Sequence, residues 1–285
     1  MSREAEMPNS VEYFLGRSST VSLEAKMSLG KGCSVVIWEN RNDHIRYEAP
    51  HNHTFSLYLK GGEGTRRLDA GKAAGWPGAV CILPAGQRSE WEITNPFRFV
   101  HLYLSDAKLG SMYSEVNDCD ARELDLVEEN FVKKPYIAQP LAELARAAMS
   151  DNVLRAESAV ADLIGTLPGR KTHLLGGLAP HMLRRVDDYI EAYLHTTIHL
   201  RDLAELVGIS EYHFHRMFRM VRGAPPHAWI TERRISRAKR LLRSDMPISA
   251  ITVDCGFSSQ SHMTRAFRDR IGRTPAQYRK YLRNF

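Results

Sequence analysis

A repeat near the carboxyl end constrains this chain more than any other feature of its sequence. The stretch Leu203-Ala204-x-x-Val207-Gly208-Ile209-Ser210 recurs 48 residues later as Ile251-Thr252-x-x-Cys255-Gly256-Phe257-Ser258. After a one-residue insertion, a further stretch that begins at Phe214 recurs 49 residues later from Met263. Self-similarity of this kind indicates that one supersecondary unit is present twice.

Each copy has the pattern of a short helix, a tight turn and a second helix. In the first copy, Gly208 can end one helix in a left-handed conformation, and the Ser210 hydroxyl can cap the next. Gly256 and Ser258 are predicted to take the same roles in the second copy. This turn chemistry is typical of the helix-turn-helix motif.

The second helix of each copy carries an apolar stripe with a four-residue spacing. Phe214 pairs with Phe218, and Met263 pairs with Phe267. Residues four apart share one helix face, so these side chains are predicted to be buried and the polar positions between them to face outward. The bland alternative is a small helical bundle with solvated charges, but two copies with the same arginine at the same offset favour a binding module.

Between the two copies, apolar residues recur every three or four positions from Trp229 to Leu242, which predicts one long helix. A continuous helix would hold both reading helices at a fixed separation. A separation near one turn of duplex, about 34 Å, would let them enter successive major grooves. Basic residues on this helix are expected to contact phosphates at most: Arg233, Arg234, Arg237, Lys239, Arg240 and Arg243.

The positive charge of the chain is concentrated around this repeat. The net charge is +6, yet residues 176–285 hold 19 Lys and Arg against 10 Asp and Glu, a balance of +9, and the remainder carries −3. A local excess of positive charge on a folded segment favours a polyanionic partner, nucleic acid first and anionic membrane second.

Residues 183–281 resemble the DNA-binding domain of the AraC/XylS family of bacterial transcription regulators. The resemblance rests on Ala204, Gly208, Ser210, Arg216, Phe218, Gly223, Pro226, Arg234-Ile235, Ala238, Leu241-Leu242, Gly256-Phe257, Arg265, Phe267, Gly272, Thr274-Pro275 and Tyr278-Arg279. It implies base-reading positions at Tyr212, His215 and Arg216 in the first reading helix, and at Gln260, Ser261, His262, Thr264 and Arg265 in the second. Thr252 departs from the family, which usually has a small apolar residue there, but its hydroxyl can bond back to the helix.

The first part of the chain has a different character. Apolar runs at residues 34–38, 55–59, 79–83 and 97–104 are rich in β-branched and aromatic residues, with turn formers between them. His51-Asn52-His53 and the stretch at residues 78–86 resemble the two motifs of cupin barrels, a common sensor domain beside this DNA-binding module. The expected fold class is α+β multidomain: a cupin-like β-barrel, a helical middle segment and an all-α C-terminal domain.

His51 and His53 are the candidate site residues of the barrel. Alternation along a strand would place them on one face with Phe55, Leu57 and Leu59, the expected interior. The spacing could suit a metal, but the further carboxylate and histidine of metal-binding cupins are missing, so we expect no metal and no cofactor. The pair either hydrogen-bonds within a strand end or lines an effector pocket, to which Trp91 and Arg88 could add an aromatic wall and a polar anchor.

The middle of the chain reads as helical, with apolar residues at helical spacing over residues 140–167. In proteins that resemble this one, such helices often form a homodimer contact. Residues 168–171 and 176–177 are the best linker candidates. We therefore predict an effector domain at 1–106, a helical dimerisation segment and linker at 107–176, and a DNA-binding domain at 177–285.

Other classes of protein are less well supported by the sequence. No run approaches the roughly 20 apolar residues of a membrane span, no secretory signal is apparent, and the four scattered cysteines suggest no disulfide framework, so the cytoplasm is the expected compartment. The leading hypothesis is a non-enzymatic, effector-responsive transcription regulator with promoter DNA as partner. The resemblance favours an activator, with RNA polymerase as a further partner, and leaves a repressor open. The alternatives are a metal-dependent cupin enzyme with an appended DNA-binding domain and an effector-independent DNA-binding protein.

Overall fold

A computed structural model describes residues 9–71, 73–117, 120–167 and 177–283 of the chain. They form two compact units. The N-terminal unit takes in the described residues up to Met149 together with those from Ala159 to Leu167, and the C-terminal unit takes in Ser150–Ser158 together with the residues from Gly177 onward. The linker predicted at residues 168–171 and 176 lies outside the described residues.

The N-terminal unit is built from two antiparallel sheets and flanking helices. Its strands are β1 (Val21–Ser28), β2 (Cys33–Asn40), β3 (Asp43–Tyr47), β4 (Asn52–Lys60), β5 (Thr65–Arg67), β6 (Val80–Leu83), β7 (Ser89–Ile93), β8 (Phe97–Ser105) and β9 (Glu129–Val132). The larger sheet has the order β1-β2-β8-β4-β6-β9 and the smaller one the order β3-β7-β5. The β-rich character predicted for this part is confirmed, while the closed cupin barrel remains a resemblance.

Helices precede and follow these strands. They are α1 (Val11–Arg17), α2 (Asp106–Asn117), α3 (Pro135–Ser150) and α4 (Val153–Ile164), with a short 3-10 turn at Ala121–Glu123. The apolar side chains of α3 pack inside the protein, since Leu141 and Leu144 are fully buried. The helices predicted over residues 140–167 are confirmed, but β9 (Glu129–Val132), within the segment predicted to be helical, is a strand of the larger sheet.

The C-terminal unit is entirely helical over its described residues. Besides the first residues of α4, it contains α5 (Pro180–Ala192), α6 (Leu200–Val207), α7 (Glu211–Arg222), α8 (Pro226–Leu241), α9 (Ile248–Asp254), α10 (Gln260–Ile271) and α11 (Pro275–Arg283). The predicted stripes form two separate cores. Phe214 and Phe218 lie at the centre of one, and Met263 and Phe267 at the centre of the other. Both predicted helix-turn-helix motifs, α6–α7 and α9–α10, are present.

The turns show where the repeat holds and where it departs. Gly208 and Gly256 are both left-handed, with φ of 68° and 73°, as predicted. The Ser210 hydroxyl accepts a hydrogen bond from the His213 amide and caps α7. In the second copy Ser259, and not Ser258, caps α10 by accepting from the His262 amide at 3.1 Å. The role predicted for Ser258 was wrong, because the inserted residue moves the start of the second reading helix by one position.

Candidate nucleic-acid interface

The predicted base-reading residues lie on the two second helices, but not all of them face outward. On α10, Gln260, Ser261 and Arg265 are exposed, and His262 and Thr264 are half-buried. On α7, Tyr212 and Arg216 are half-buried.

His215 differs from this pattern, with only 4% of its surface exposed. The outward orientation predicted for it was wrong. The inner face of α7 is broader than the Phe214–Phe218 stripe, because the beginning of α8 packs beside it and brings His227 into electrostatic range of His215. Burial and nearby positive charge lower the pKa of His227 to about 3, so that residue is neutral at pH 7.

Two arginines at equivalent positions of the repeat are the strongest candidates for contact with DNA. Arg265 is exposed and has no acidic partner within the described part of the chain. Arg216 is half-buried, and its Nη2 atom is buried without a hydrogen-bond partner. A buried guanidinium N–H rarely lacks an acceptor, and rotation of this half-buried side chain would bring the atom to one outside the protein. A guanine edge or a phosphate oxygen offers such an acceptor.

The basic residues predicted on the connecting helix differ in their contacts. Arg233 pairs with Glu191 at 3.1 Å, and Arg237 pairs with Asp254 at 2.9 Å. Lys239 and Arg240 in the last turn of α8, and Arg243 just after it, have no acidic partner among the residues that the structure describes. The end of α8 is therefore a better candidate for phosphate contact than its middle.

Arg234 has a structural role that the sequence did not reveal. Its Nε donates to the Leu194 carbonyl at 3.1 Å and its Nη2 to the Thr196 carbonyl at 2.7 Å. Burial lowers the pKa of Arg234 to about 10, which leaves it charged at pH 7. A Cβ built on Gly256 would lie 2.2 Å from the Leu194 oxygen and 3.0 Å from Arg234 Nη2. Only glycine allows the backbone of the second motif's turn to come this close to the Leu194 carbonyl. The contact joins that turn to the segment just after α5 in the first half.

Residues 150–158, which precede the predicted DNA-binding domain, also contact both halves of the C-terminal unit. Leu154 is 6% exposed and belongs to the first core. Glu157 accepts from the Leu200 amide at 2.7 Å through Oε2, and its Oε1 lies 3.1 Å from His199 Nδ1. The carboxylate thus satisfies an amide at the start of α6, where no carbonyl of the helix can reach. On the other half, Ser258 Oγ donates to the Ser150 carbonyl at 2.9 Å.

The N-terminal unit holds a second candidate site, a narrow cavity between its two sheets. Its volume is about 30 Å³, enough for one or two water molecules. Trp91 lines it, with its Nε1 donating to Ser89 Oγ at 2.9 Å. On β4 it is Ser56 and Tyr58 that line the cavity, so the odd-numbered positions face the other side of the sheet. The interior face predicted for β4 was wrong, because both faces of this central strand are buried and the more polar one, with Ser56 and Tyr58, faces the cavity, so the alternation of apolar residues does not mark the interior.

The other predicted effector residues lie elsewhere in the N-terminal unit. His51 and Arg88 are exposed, and Arg88 pairs with Glu48 at 3.2 Å. His53 Nδ1 accepts from the Ala85 amide at 3.1 Å, and its Nε2 lies 3.3 Å from Asp106 Oδ1. No cluster of three or more His, Cys, Asp or Glu side chains suited to a metal occurs among the described residues.

Three cavity residues were missed by the sequence reasoning. Asn40 Oδ1 and Ser56 Oγ are buried without a hydrogen-bond partner. His101 is buried, which lowers its pKa to about 3, and its Nδ1 lies 2.9 Å from the Tyr103 hydroxyl. In a cavity of this size, polar atoms of this kind are suited to hold a water molecule, or a polar group of a small ligand once neighbouring side chains move. Their positions follow from the strand register, which no local motif encodes.

The C-terminal unit therefore defines a protein with two helix-turn-helix motifs joined by one helix. Known proteins of similar sequence contain the same kind of domain. A family model described as a helix-turn-helix domain matches residues 203–281. The regulator ExsA of Pseudomonas aeruginosa is 37% identical over 108 residues, and the chain spans only 39% of its length. The thermoregulatory protein LcrF of Yersinia pestis is 30% identical over 195 residues, which cover 65% of this chain and 69% of LcrF.

Among solved structures, the DNA-binding domain of AdpA in complex with a target DNA is 32% identical, covers 36% of this chain and 93% of that one, and has a TM-score of 0.35. The match to LcrF and the helix-turn-helix model together place the chain in a family. It belongs to the AraC/XylS family of transcription regulators. None of the described helices combines the length and the apolar character that a membrane crossing requires.

Proposed function

We propose that this chain binds promoter DNA in a sequence-specific manner through α7 and α10, which lie in two halves held together by α8. The observation that carries the proposal is the pair of equivalent arginines, Arg216 and Arg265, on the two reading helices. The 16 residues of α8 rise by about 24 Å. As one continuous helix it holds α7 and α10 at a fixed separation, and binding to successive major grooves from one side requires that separation to match one duplex turn.

The proposed base contacts are made by exposed or half-buried residues only: Tyr212, Arg216, Gln260, Ser261, His262, Thr264 and Arg265. Arg can address guanine and Gln can address adenine through paired hydrogen bonds. His215 is left out because its side chain is buried.

We further propose that the cavity between the sheets admits a small effector that modulates this binding. The unpartnered oxygens of Asn40 and Ser56 and the indole of Trp91 support this placement. Because the cavity is small, a ligand can enter only if neighbouring side chains move. The effector can then change DNA binding only if its affinity differs between two conformations of the protein. A homodimer, a role as activator and contact with RNA polymerase are proposed from the family resemblance.

The test starts from DNA selected out of random sequence by the full-length protein. The recovered site should contain two short motifs about one duplex turn apart, and small metabolites are then screened for a change in affinity for it. Ser56→Val should abolish the response to an active compound and leave DNA binding in its absence unchanged. Ser22→Val, at an exposed position of β1, is the matched control.

Recovery of no sequence preference would contradict the DNA-binding proposal. A response that survives Ser56→Val would contradict the cavity, and the absence of any active metabolite would favour the effector-independent alternative.

A further inference from the structure

The inserted residue in the second copy of the repeat gives Ser258 a role without a counterpart in the first copy. Ser259 caps α10, which leaves the Ser258 side chain available for other contacts. It makes two of them. Ser258 Oγ donates to the Ser150 carbonyl at 2.9 Å and lies 3.0 Å from His262 Nδ1.

These two hydrogen bonds determine where the proton of His262 lies. A serine hydroxyl has one hydrogen, and a carbonyl oxygen can only accept. Because the hydroxyl hydrogen points to the Ser150 carbonyl, Ser258 Oγ must accept from His262. The network therefore places a proton on His262 Nδ1.

The second ring nitrogen of His262 then has a defined character. Burial, with Arg234, Arg155 and Arg265 nearby, lowers the pKa of His262 to about 4, although Asp151 acts in the opposite direction. The ring is neutral at pH 7, so Nε2 carries a lone pair and no hydrogen. Its plane is held at 87° to the Phe257 ring, with 5.3 Å between the ring centres.

We propose that Ser150 and Ser258 fix His262 as a hydrogen-bond acceptor, so that it selects a base with an exocyclic amino group, adenine or cytosine, in the major groove. In that groove the N6 group of adenine and the N4 group of cytosine are donors, whereas guanine and thymine present acceptors at the corresponding positions. The inference rests on the proposed function, since it requires α10 to enter the groove. It makes His262 a specificity-determining residue, and Ser258 a positioning residue that acts through it.

The test uses the full-length protein and the DNA site recovered by selection. Each base pair under α10 is varied to all four bases, and affinities are compared for the wild type, His262→Ala and Ser258→Ala. One position should lose its preference in His262→Ala. There the wild type should prefer adenine or cytosine over guanine and thymine by about fivefold, the value of one hydrogen bond.

In Ser258→Ala the constraint on the proton is removed, and the form with hydrogen on Nε2 becomes available to donate to guanine. Discrimination against guanine should fall at that position and stay unchanged elsewhere. Ring-nitrogen NMR shifts should show the Nδ1–H form in the wild type and a larger share of the Nε2–H form in Ser258→Ala. Ser236→Ala, at an exposed position of α8, is the matched control, and binding to random DNA verifies that each variant is folded.

Several results would overturn the proposal. They are a wild-type preference for guanine that depends on His262, an unchanged preference in Ser258→Ala, or the Nε2–H form in the wild type. If His262→Ala changes no position while Arg265→Ala still relaxes one, this inference fails and the proposed function stands. Failure of the wild type to prefer any sequence would instead reject the proposed function itself.

Discussion

Replacing Arg216 and Arg265 together by alanine should remove most of the sequence-specific affinity of this protein. Each single substitution should cost about 1–3 kcal/mol, the value of a paired contact to a base. The two residues lie on helices that pack in separate cores of the C-terminal unit, so their effects should add, and the double variant should lose about 2–6 kcal/mol. Each single variant should relax the preference at its own position, one duplex turn from the other.

The measurement is affinity for the selected site and for random DNA at one fixed salt concentration, because phosphate contacts make both depend on salt. Arg270→Ala is the matched control. This arginine lies on the same helix as Arg265 but pairs with Glu232, so its loss should affect specific binding little. Equal losses on specific and random DNA would make Arg216 and Arg265 phosphate contacts and contradict their role as base readers.

The second large effect is expected at residues 150–158. Leu154→Ala should lower the free energy of unfolding of the C-terminal unit by about 2–5 kcal/mol, since it leaves a cavity in the first core. Glu157→Gln should cost less, about 1 kcal/mol, because the amide oxygen can still accept from the Leu200 amide. Urea dependence of hydrogen exchange in peptides from α6 to α8 isolates this unit from the N-terminal one. Leu68→Ala, at a position that is 49% exposed, is the matched control.

The same contacts predict how fragments behave. A fragment that begins at Ser150 should unfold at a higher urea concentration than one that begins at Gly177, because only the first contains Leu154 and Glu157. Equal midpoints for the two fragments would contradict the structural role assigned to residues 150–158.

The repeat allowed much of the C-terminal unit to be predicted from sequence. Left-handed glycines, a capping serine and aromatic residues four apart are local signals, and each acts on a helix only a few residues away. Gly208, Gly256, Phe218 and Phe267 therefore have the predicted roles. Strands β2, β4, β6 and β8 of the N-terminal unit were predicted on the same basis, from composition and turn formers, whereas β9 lies outside the region predicted to be β-rich.

What the sequence could not supply depends on contacts between distant segments. The cap that Glu157 gives to α6 joins residues more than 40 positions apart, and the bond from Ser258 to Ser150 spans 108. His215 is polar and lies beside the predicted stripe, so only the packing of α8 determines that it is buried. The face of β4 toward the cavity could not be predicted either, because both faces of the strand are buried and the more polar face lies toward the cavity.

The proposed function requires the two reading helices, α7 and α10, to bind DNA together at a fixed separation. Inserting five base pairs between the two motifs of the selected site tests this requirement most directly. The reading helices are held in one orientation by the continuous helix α8 and by the contacts of Arg234 and Gly256. The insertion adds half a turn of duplex, which moves the second motif to the opposite face of the DNA. The affinity should then fall to that of a site with one motif destroyed. Unchanged affinity for the site with the insertion would contradict the claim.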